Sequence, residues 1–197
     1  MGSHRQFGLT VMQILAAPFY GVSGDFESIA TTTVGVSSQA TITFSSIPST
    51  YKHLQIRGLC RLGSSSTGTN DIFIRFNSDT ASNYSRHGLF GTGSTAGSGG
   101  AASTTSAYAT RATSPRAGST ANSFGVFVID ILDYANTNKH KTVRGLGGAD
   151  TNDTNGVVSL ASGNWRSTSA ITQIDLTDEL GYSFVQYSSF ALYGIKG

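Results

Sequence analysis

Charge is scarce in this chain. Asp, Glu, Lys and Arg together make up 12% of its 197 residues, about half of the roughly 25% usual in soluble domains. The 13 basic residues barely outnumber the 11 acidic ones, and the arginines are scattered along the chain. Nucleic-acid binding needs a concentrated phosphate-neutralising patch, so no nucleic-acid partner is expected. There is one cysteine, Cys60, which excludes an internal disulfide. Within "HLQIRGLCR" it reads as a small buried hydrophobe rather than a reactive thiol. No run approaches the ~18 apolar residues of a membrane helix, and no membrane partner is expected. The N-terminal segment, with Arg5 ahead of an apolar run, has the outline of a signal peptide, which Gln13 interrupts. Prolines number three, of which Pro48 marks a connection, and the other turn residues between runs are Gly, Ser, Asn and Asp.

What is there is strand grammar. Runs rich in β-branched and aromatic residues, separated by turn residues, occur at 27–34, 39–44, 53–61, 71–76, 84–90, 123–134, 141–148, 156–165, 169–176 and 188–195. Such spacing without a long helical pattern predicts two packed antiparallel sheets, an all-β sandwich. Alternation supports it: Leu54, Ile56 and Cys60 share one strand face, and Gln55, Arg57 and Arg61 the other, predicted to be wet. Ile72, Ile74 and Phe76 likewise oppose Asp71, Phe73 and Arg75. The run "GVFVIDIL" is apolar on both faces, as expected of an interior strand or a subunit-contact strand. Asn155-Gly156 signals a tight hairpin, pairing 141–148 with 156–165.

Two stretches break the pattern. Residues 91–122 form a long Gly/Ser/Thr/Ala tract, predicted to be a loop with one weak strand opportunity near Tyr108. Residues 1–25 carry Phe7, Val11, Ile14 and Leu15 at i, i+4, i+7 and i+8, a modest amphipathic-helix pattern closed by Pro18. The pattern reads equally as an arm that docks on something else and as one that packs on its own domain; as a docking arm it is distinct from a sandwich domain over 26–197.

Chemistry is harder to find. Asp130 and Asp133 are separated by three residues, which on a strand places them on opposite faces, so they cannot act as the paired acids of a glycosidase. No serine sits in a nucleophile elbow, and His4, His53, His87 and His140 have no motif around them. "GTGSTA" (91–96) formally matches a dinucleotide loop but precedes no helix whose N-terminus could hold phosphate. "DTNDTNG" imitates a calcium loop; its Gly156 is one place late and Ala161 stands where a bidentate Glu is needed. A non-helical site using Asp150, Asn152 and Asp153 is the remaining metal reading. No metal or other cofactor is expected, and an enzymatic role ranks last. Sugar binding needs an aromatic platform beside short polar groups. Trp165 in "SGNWRS", Tyr84 in "NSDTASNY" and Tyr108 are the candidates, although a lone Trp in a β protein is more often core.

The succession "FESIATTTVGVSSQATITFSSIPSTYKHLQIRG", "IRFNSDTASNY", "VIDILDYANTNKHKTVRGLGG" and "YSSFALYGIKG" resembles a group of tailed-bacteriophage virion structural proteins over about residues 26–197. That resemblance implies a jelly-roll-like sandwich on the virion surface, as a homotrimer, with "SSFALYGI" as its closing strand. The expected role is capsid decoration or cement. The arm residues Phe7, Val11, Ile14, Leu15 and Phe19 would grip the major capsid protein. The alternative is a tail fibre, needle tip or receptor-binding knob, attached to a tail protein and recognising a host polysaccharide through Tyr84, Tyr108 and Trp165.

Overall fold

The computed structural model describes residues 24–152 and 156–197. The arm residues Phe7, Val11, Ile14, Leu15 and Phe19, and Asp153 of the calcium-loop reading, lie outside them. The described residues are all-β. Strands β1 (Phe26–Thr33), β2 (Thr41–Phe44), β3 (His53–Cys60), β4 (Thr69–Phe76), β5 (Tyr84–Thr92) and β6 (Ala96–Thr104) are followed by β7 (Ala107–Pro115), β8 (Gly125–Leu132), β9 (Lys141–Ala149), β10 (Val157–Trp165), β11 (Ile174–Asp178) and β12 (Ser189–Ile195). They form two antiparallel sheets, one of eight strands in the order β1-β12-β3-β8-β9-β10-β5-β6 and one of four in the order β2-β11-β4-β7.

Pairing follows a simple rule. β1 pairs with β12, β2 with β11, β3 with β8 and β4 with β7, so the chain doubles back on itself as one antiparallel ribbon. The ribbon steps from the large sheet to the small one and back, since β1 and β3 lie in the first and β2 and β4 in the second. Two hairpins interrupt it. β5–β6 lies between β4 and β7, β9–β10 lies between β8 and β11, and both join the large sheet beyond β8 through the β10–β5 ladder. The predicted partnership of 141–148 with 156–165 is present, running from Val157 opposite Ala149 to Trp165 opposite Lys141.

Alternation decides what each strand buries. Leu54, Ile56 and Cys60 of β3, Ile72, Ile74 and Phe76 of β4, Ile129 and Ile131 of β8, and Leu192 of β12 are fully enclosed between the sheets. Arg61 departs from the sequence reading. Just past the end of β3 the chain turns inward, and the Arg61 side chain, 7% exposed, donates to the carbonyl oxygens of Ala117, Ser119, Thr120 and Ser123 at 2.7–2.9 Å. A buried cation satisfied by four carbonyls and the Ser123 hydroxyl pins the 117–123 loop instead of facing water. Burial alone pushes its pKa down.

The tract 91–122 is not a loop with one weak strand: it supplies β6 and β7. β6, "AGSGGAAST", has almost no side chains, and contact explains this better than propensity. A Cβ on Gly97 would strike the Phe90 ring, and one on Gly100 the His87 ring. β7 runs so close beneath β8 and β9 that a Cβ on Gly125 would overlap the Thr113 carbonyl, and one on Gly145 the Ala109 carbonyl. The 169–176 run also starts later than its pattern predicts. Residues 172 and 173 are held outside the ladder by Asn77, whose Oδ1 accepts from both amides at 2.8 and 3.1 Å.

Candidate functional site

The outer face of the large sheet is where the described structure exposes apolar side chains together. Val126 of β8, Leu146 of β9, Val158 of β10 and Leu89 of β5 are 54%, 59%, 63% and 58% exposed, and Leu160 of β10 is 44% exposed. Register makes them neighbours. Val128 lies opposite Leu146, Leu146 opposite Leu160, and Leu160 opposite Leu89. One step along the strands, Val126 lies opposite Gly148, Gly148 opposite Val158, and Val158 opposite Gly91. The glycines leave a concavity of about 910 Å³ over the second row, bounded by Phe124, by the β5–β6 turn with Thr92 and Ser94, and by Asp150. Next to the first row on its other side, Arg144 pairs with Asp130 at 2.6 Å, and Gln55 donates to the same carboxylate at 2.9 Å. A contiguous apolar patch rimmed by polar groups marks a surface built for contact.

The strand β8 that "GVFVIDIL" forms is interior to the large sheet, between β3 and β9, and its outer face is exposed. Phe127, Ile129 and Ile131 enter the core, while Val126 and Leu132 stand in solvent at 54% and 58%. Leu89, Leu146 and Leu160 were not singled out by the sequence. Leu146 and Leu160 share their strand parity with Gly148 and Val158 in "RGLGG" and "VVSLAS", and Arg144 on the same parity masks that signal.

The aromatic residues expected to form a sugar platform are placed elsewhere. Tyr84 is fully buried and Trp165 is 3% exposed. Trp165 stacks with Tyr84 at 6.3 Å and meets Phe76 at 5.6 Å, and its indole N–H donates to Asp79 at 2.7 Å. Burial works to raise the Asp79 pKa, but donors from Asn83, Trp165 and the Ala81 amide outweigh it and hold the carboxyl below its usual range. Burial pushes the Tyr84 phenol up to about 12. This is a hydrogen-bonded core corner, and neither ring offers a face to a ligand.

Tyr108 is the third. It sits 8% exposed on the flank where β5 and β6 overhang the small sheet, beneath two arginines. The Arg86 guanidinium lies 4.4 Å from the Phe73 ring centre and 5.0 Å from that of Tyr108. Arg111 lies 5.0 Å from the Phe90 ring centre and 5.5 Å from that of Tyr108. Asp71 faces this cluster and accepts the Ala112 amide at 2.6 Å. Its burial raises its pKa, against the pull of that bond and of the two arginines. Cations laid over ring faces close the flank by cation–π contact, and the Tyr108 ring is spent in that packing.

Other sequence candidates are dispersed. Asp130 lies on the outer face of β8. Burial works to raise its pKa, but Arg144 and Gln55 together lower it. Asp133, beyond the strand, pairs with Lys139 and with Lys52, and its backbone amide donates to His53 Nδ1 at 3.0 Å. The two acids do not converge. Burial raises the Cys60 thiol to about 12, so it is a structural residue. Asp150 accepts the Asn152 amide at 2.8 Å, a local turn bond. Among the described residues no three His, Cys, Asp or Glu side chains gather as a metal site requires, and no helix is long and apolar enough to cross a membrane. Compared with models of protein families, with curated proteins and with solved structures, the chain matches none.

Proposed function

We propose that this protein is a non-enzymatic structural component of a tailed-bacteriophage particle, a capsid decoration or cement protein that packs against copies of itself. The observation that carries the proposal is the apolar outer face of the large sheet, centred on Leu146, Leu160 and Leu89. A sandwich needs only one face of each sheet for its core, and a second apolar face has a use only in contact with another surface.

Strand order adds support. Without its two hairpin insertions, the ribbon leaves four-stranded sheets in the orders β1-β12-β3-β8 and β2-β11-β4-β7, an order that supports the jelly-roll reading. That is the fold the sequence resemblance implies, and virion proteins use it widely; fold alone does not assign function. The decoration reading adds homotrimers on the particle surface, held to the major capsid protein by the arm residues Phe7, Val11, Ile14, Leu15 and Phe19. The tail-knob reading has less to stand on, since Tyr84, Tyr108 and Trp165 are all committed to packing.

The test is a deletion of residues 1–24 with particle binding as readout. The shortened chain is expected to fold and self-associate but to lose binding to phage particles. Particle binding equal to that of the full chain would sink the role given to the arm. Labelling the protein on intact particles separates many copies on the capsid, as expected, from a few copies on the tail.

A further inference from the structure

The outer face of the large sheet is self-complementary, and we infer that two copies of this chain pack there across a two-fold axis, ridge into trough. The inference rests on the reading of this face as a contact surface and adds a specific partner and register.

Two neighbouring rows have opposite relief. The row Val128, Leu146, Leu160 and Leu89 is a ridge. The row Val126, Gly148, Val158 and Gly91, the trough, is low only where the glycines lie on β9 and β5, with Val126 and Val158, 54% and 63% exposed, standing beside the notches. Both notches are open. A Cβ on Gly91 would meet nothing within 4 Å, and one on Gly148 would come no nearer than 3.4 Å to any atom. The two large knobs, Leu146 and Leu89, sit on the same two strands as the two notches, one alternate position away.

Rows on one strand face are two residues, roughly 6.8 Å, apart. A two-fold axis running along the rows, between them, turns a second copy over so that each strand lies above its own counterpart, its direction reversed. Leu146 then enters the notch at Gly148 of the second copy, and Leu89 the notch at Gly91 of the second copy. The same operation repeats both contacts in reverse, as an isologous interface requires.

Charge fits the same register. Going outward from the axis along β9, the ridge side carries Arg144 and the trough side Asp150. The operation that seats Leu146 therefore places Arg144 against Asp150 of the second copy. The Arg144 side chain is 69% exposed although it already holds Asp130, and a guanidinium has donors enough for two carboxylates. Six strands (β3, β8, β9, β10, β5 and β6) at roughly 4.8 Å spacing and four rows at roughly 6.8 Å give a footprint of about 800 Å² per copy, the size a stable interface needs.

The full chain is tested by sedimentation across a concentration series, with circular dichroism to confirm folding. Wild type is expected to pair through this face, so that trimers formed through another face join two by two. Gly148→Leu, whose Cβ would come no nearer than 3.4 Å to any atom of its own chain, and Leu146→Glu should each weaken association at least tenfold. Arg144→Glu and Asp150→Lys should each weaken it, and the double variant should recover most of the loss. A mixture of Leu146→Cys and Gly148→Cys chains should form a mixed disulfide in preference to either homodimer; Cys60, fully buried, does not interfere. Association that ignores all these substitutions, for instance a three-fold assembly through another face, would overturn this register and leave the structural-protein reading standing. A monomer at every concentration would overturn both.

Discussion

The two halves of the large sheet solve the same problem differently. In the ribbon half, β1, β12, β3 and β8 face the small sheet across a layer of branched aliphatics, with Ile56, Ile129, Ile131 and Leu192 meeting Ile72, Ile74 and Leu176. That is ordinary sandwich packing, two sheets roughly 10 Å apart with side chains filling the gap. In the added half the gap disappears. β7 touches the backbone of β9 and β10, so Gly145, Gly147 and Gly163 stand where the other half has isoleucine. Farther out, where β5 and β6 overhang, the filling is Arg86 and Arg111 laid over Phe73, Phe90 and Tyr108. One half is stabilised by volume and the other by proximity. Their sensitivities to substitution should therefore have opposite signs: the first suffers from lost atoms, the second from added ones.

The sharpest way to break that comparison is to add one methyl to the second half. Gly145→Ala drives a Cβ into the Ala109 carbonyl oxygen, and two closely packed backbones in facing sheets must separate to admit it. A loss of about 4 kcal/mol or more is expected in urea unfolding, at the upper end of overpacking costs. A loss under about 1 kcal/mol would mean that β7 is not held against β9. The counterpart in the first half is Ile129→Ala, expected to cost about 3 kcal/mol through lost burial and the cavity left behind.

These opposite sensitivities also explain what could be read from sequence. The ribbon half was legible because its side chains carry a period-two signal; Leu54, Ile56 and Cys60 are buried as alternation predicts. The β9–β10 hairpin was legible through Asn155-Gly156. β6 and β7 were not, because a strand whose neighbours require the absence of a Cβ reads as a linker, and composition cannot tell a required glycine from a flexible one. Arg61 was misread because alternation ends where the strand does. Trp165 and Tyr84 have the residue types of a ligand platform, although a lone Trp is more often core, and the bond from the indole N–H to Asp79 together with burial decides for the core corner. The outer face was visible only as the two-sided apolarity of "GVFVIDIL"; its leucines on β5, β9 and β10 gain their meaning from cross-strand register, which a sequence does not state.

Arg111 sharpens the comparison at the overhang. Arg111→Ala removes a cation from two rings and leaves the aliphatic core untouched, so a loss of about 1 kcal/mol is expected. Arg111→Lys should recover only part of it, since an ammonium cannot lie flat over Phe90 and Tyr108 as a guanidinium does. Equal stability of the Ala variant and wild type would show that the glycines of β6, and not the cation, close this flank. Labelling of Cys60 belongs to the first half. With its thiol raised to about 12 and fully buried, it should react with a thiol reagent only as fast as the protein unfolds. Gly145→Ala should accelerate that reaction far more than Arg111→Ala.

The smallest expected effect is a pH dependence at the join of the two halves, where Asp71 of β4 faces the arginine cluster. Burial raises its carboxyl above the ordinary value. A carboxyl whose folded pKa exceeds its unfolded one contributes stability that is fully present below the unfolded pKa, about 3.9 for Asp, and lost as pH rises through the folded value. Asp71→Asn removes this dependence and keeps an oxygen to accept the Ala112 amide, so the change should stay within about 1 kcal/mol. The variant should therefore gain on wild type as pH is raised from the acid range toward neutrality, in paired urea titrations. A gain in the opposite direction would mean that Arg86 and Arg111 hold Asp71 ionised after all, and that the overhang is an ion-pair network rather than a stack of cations on rings.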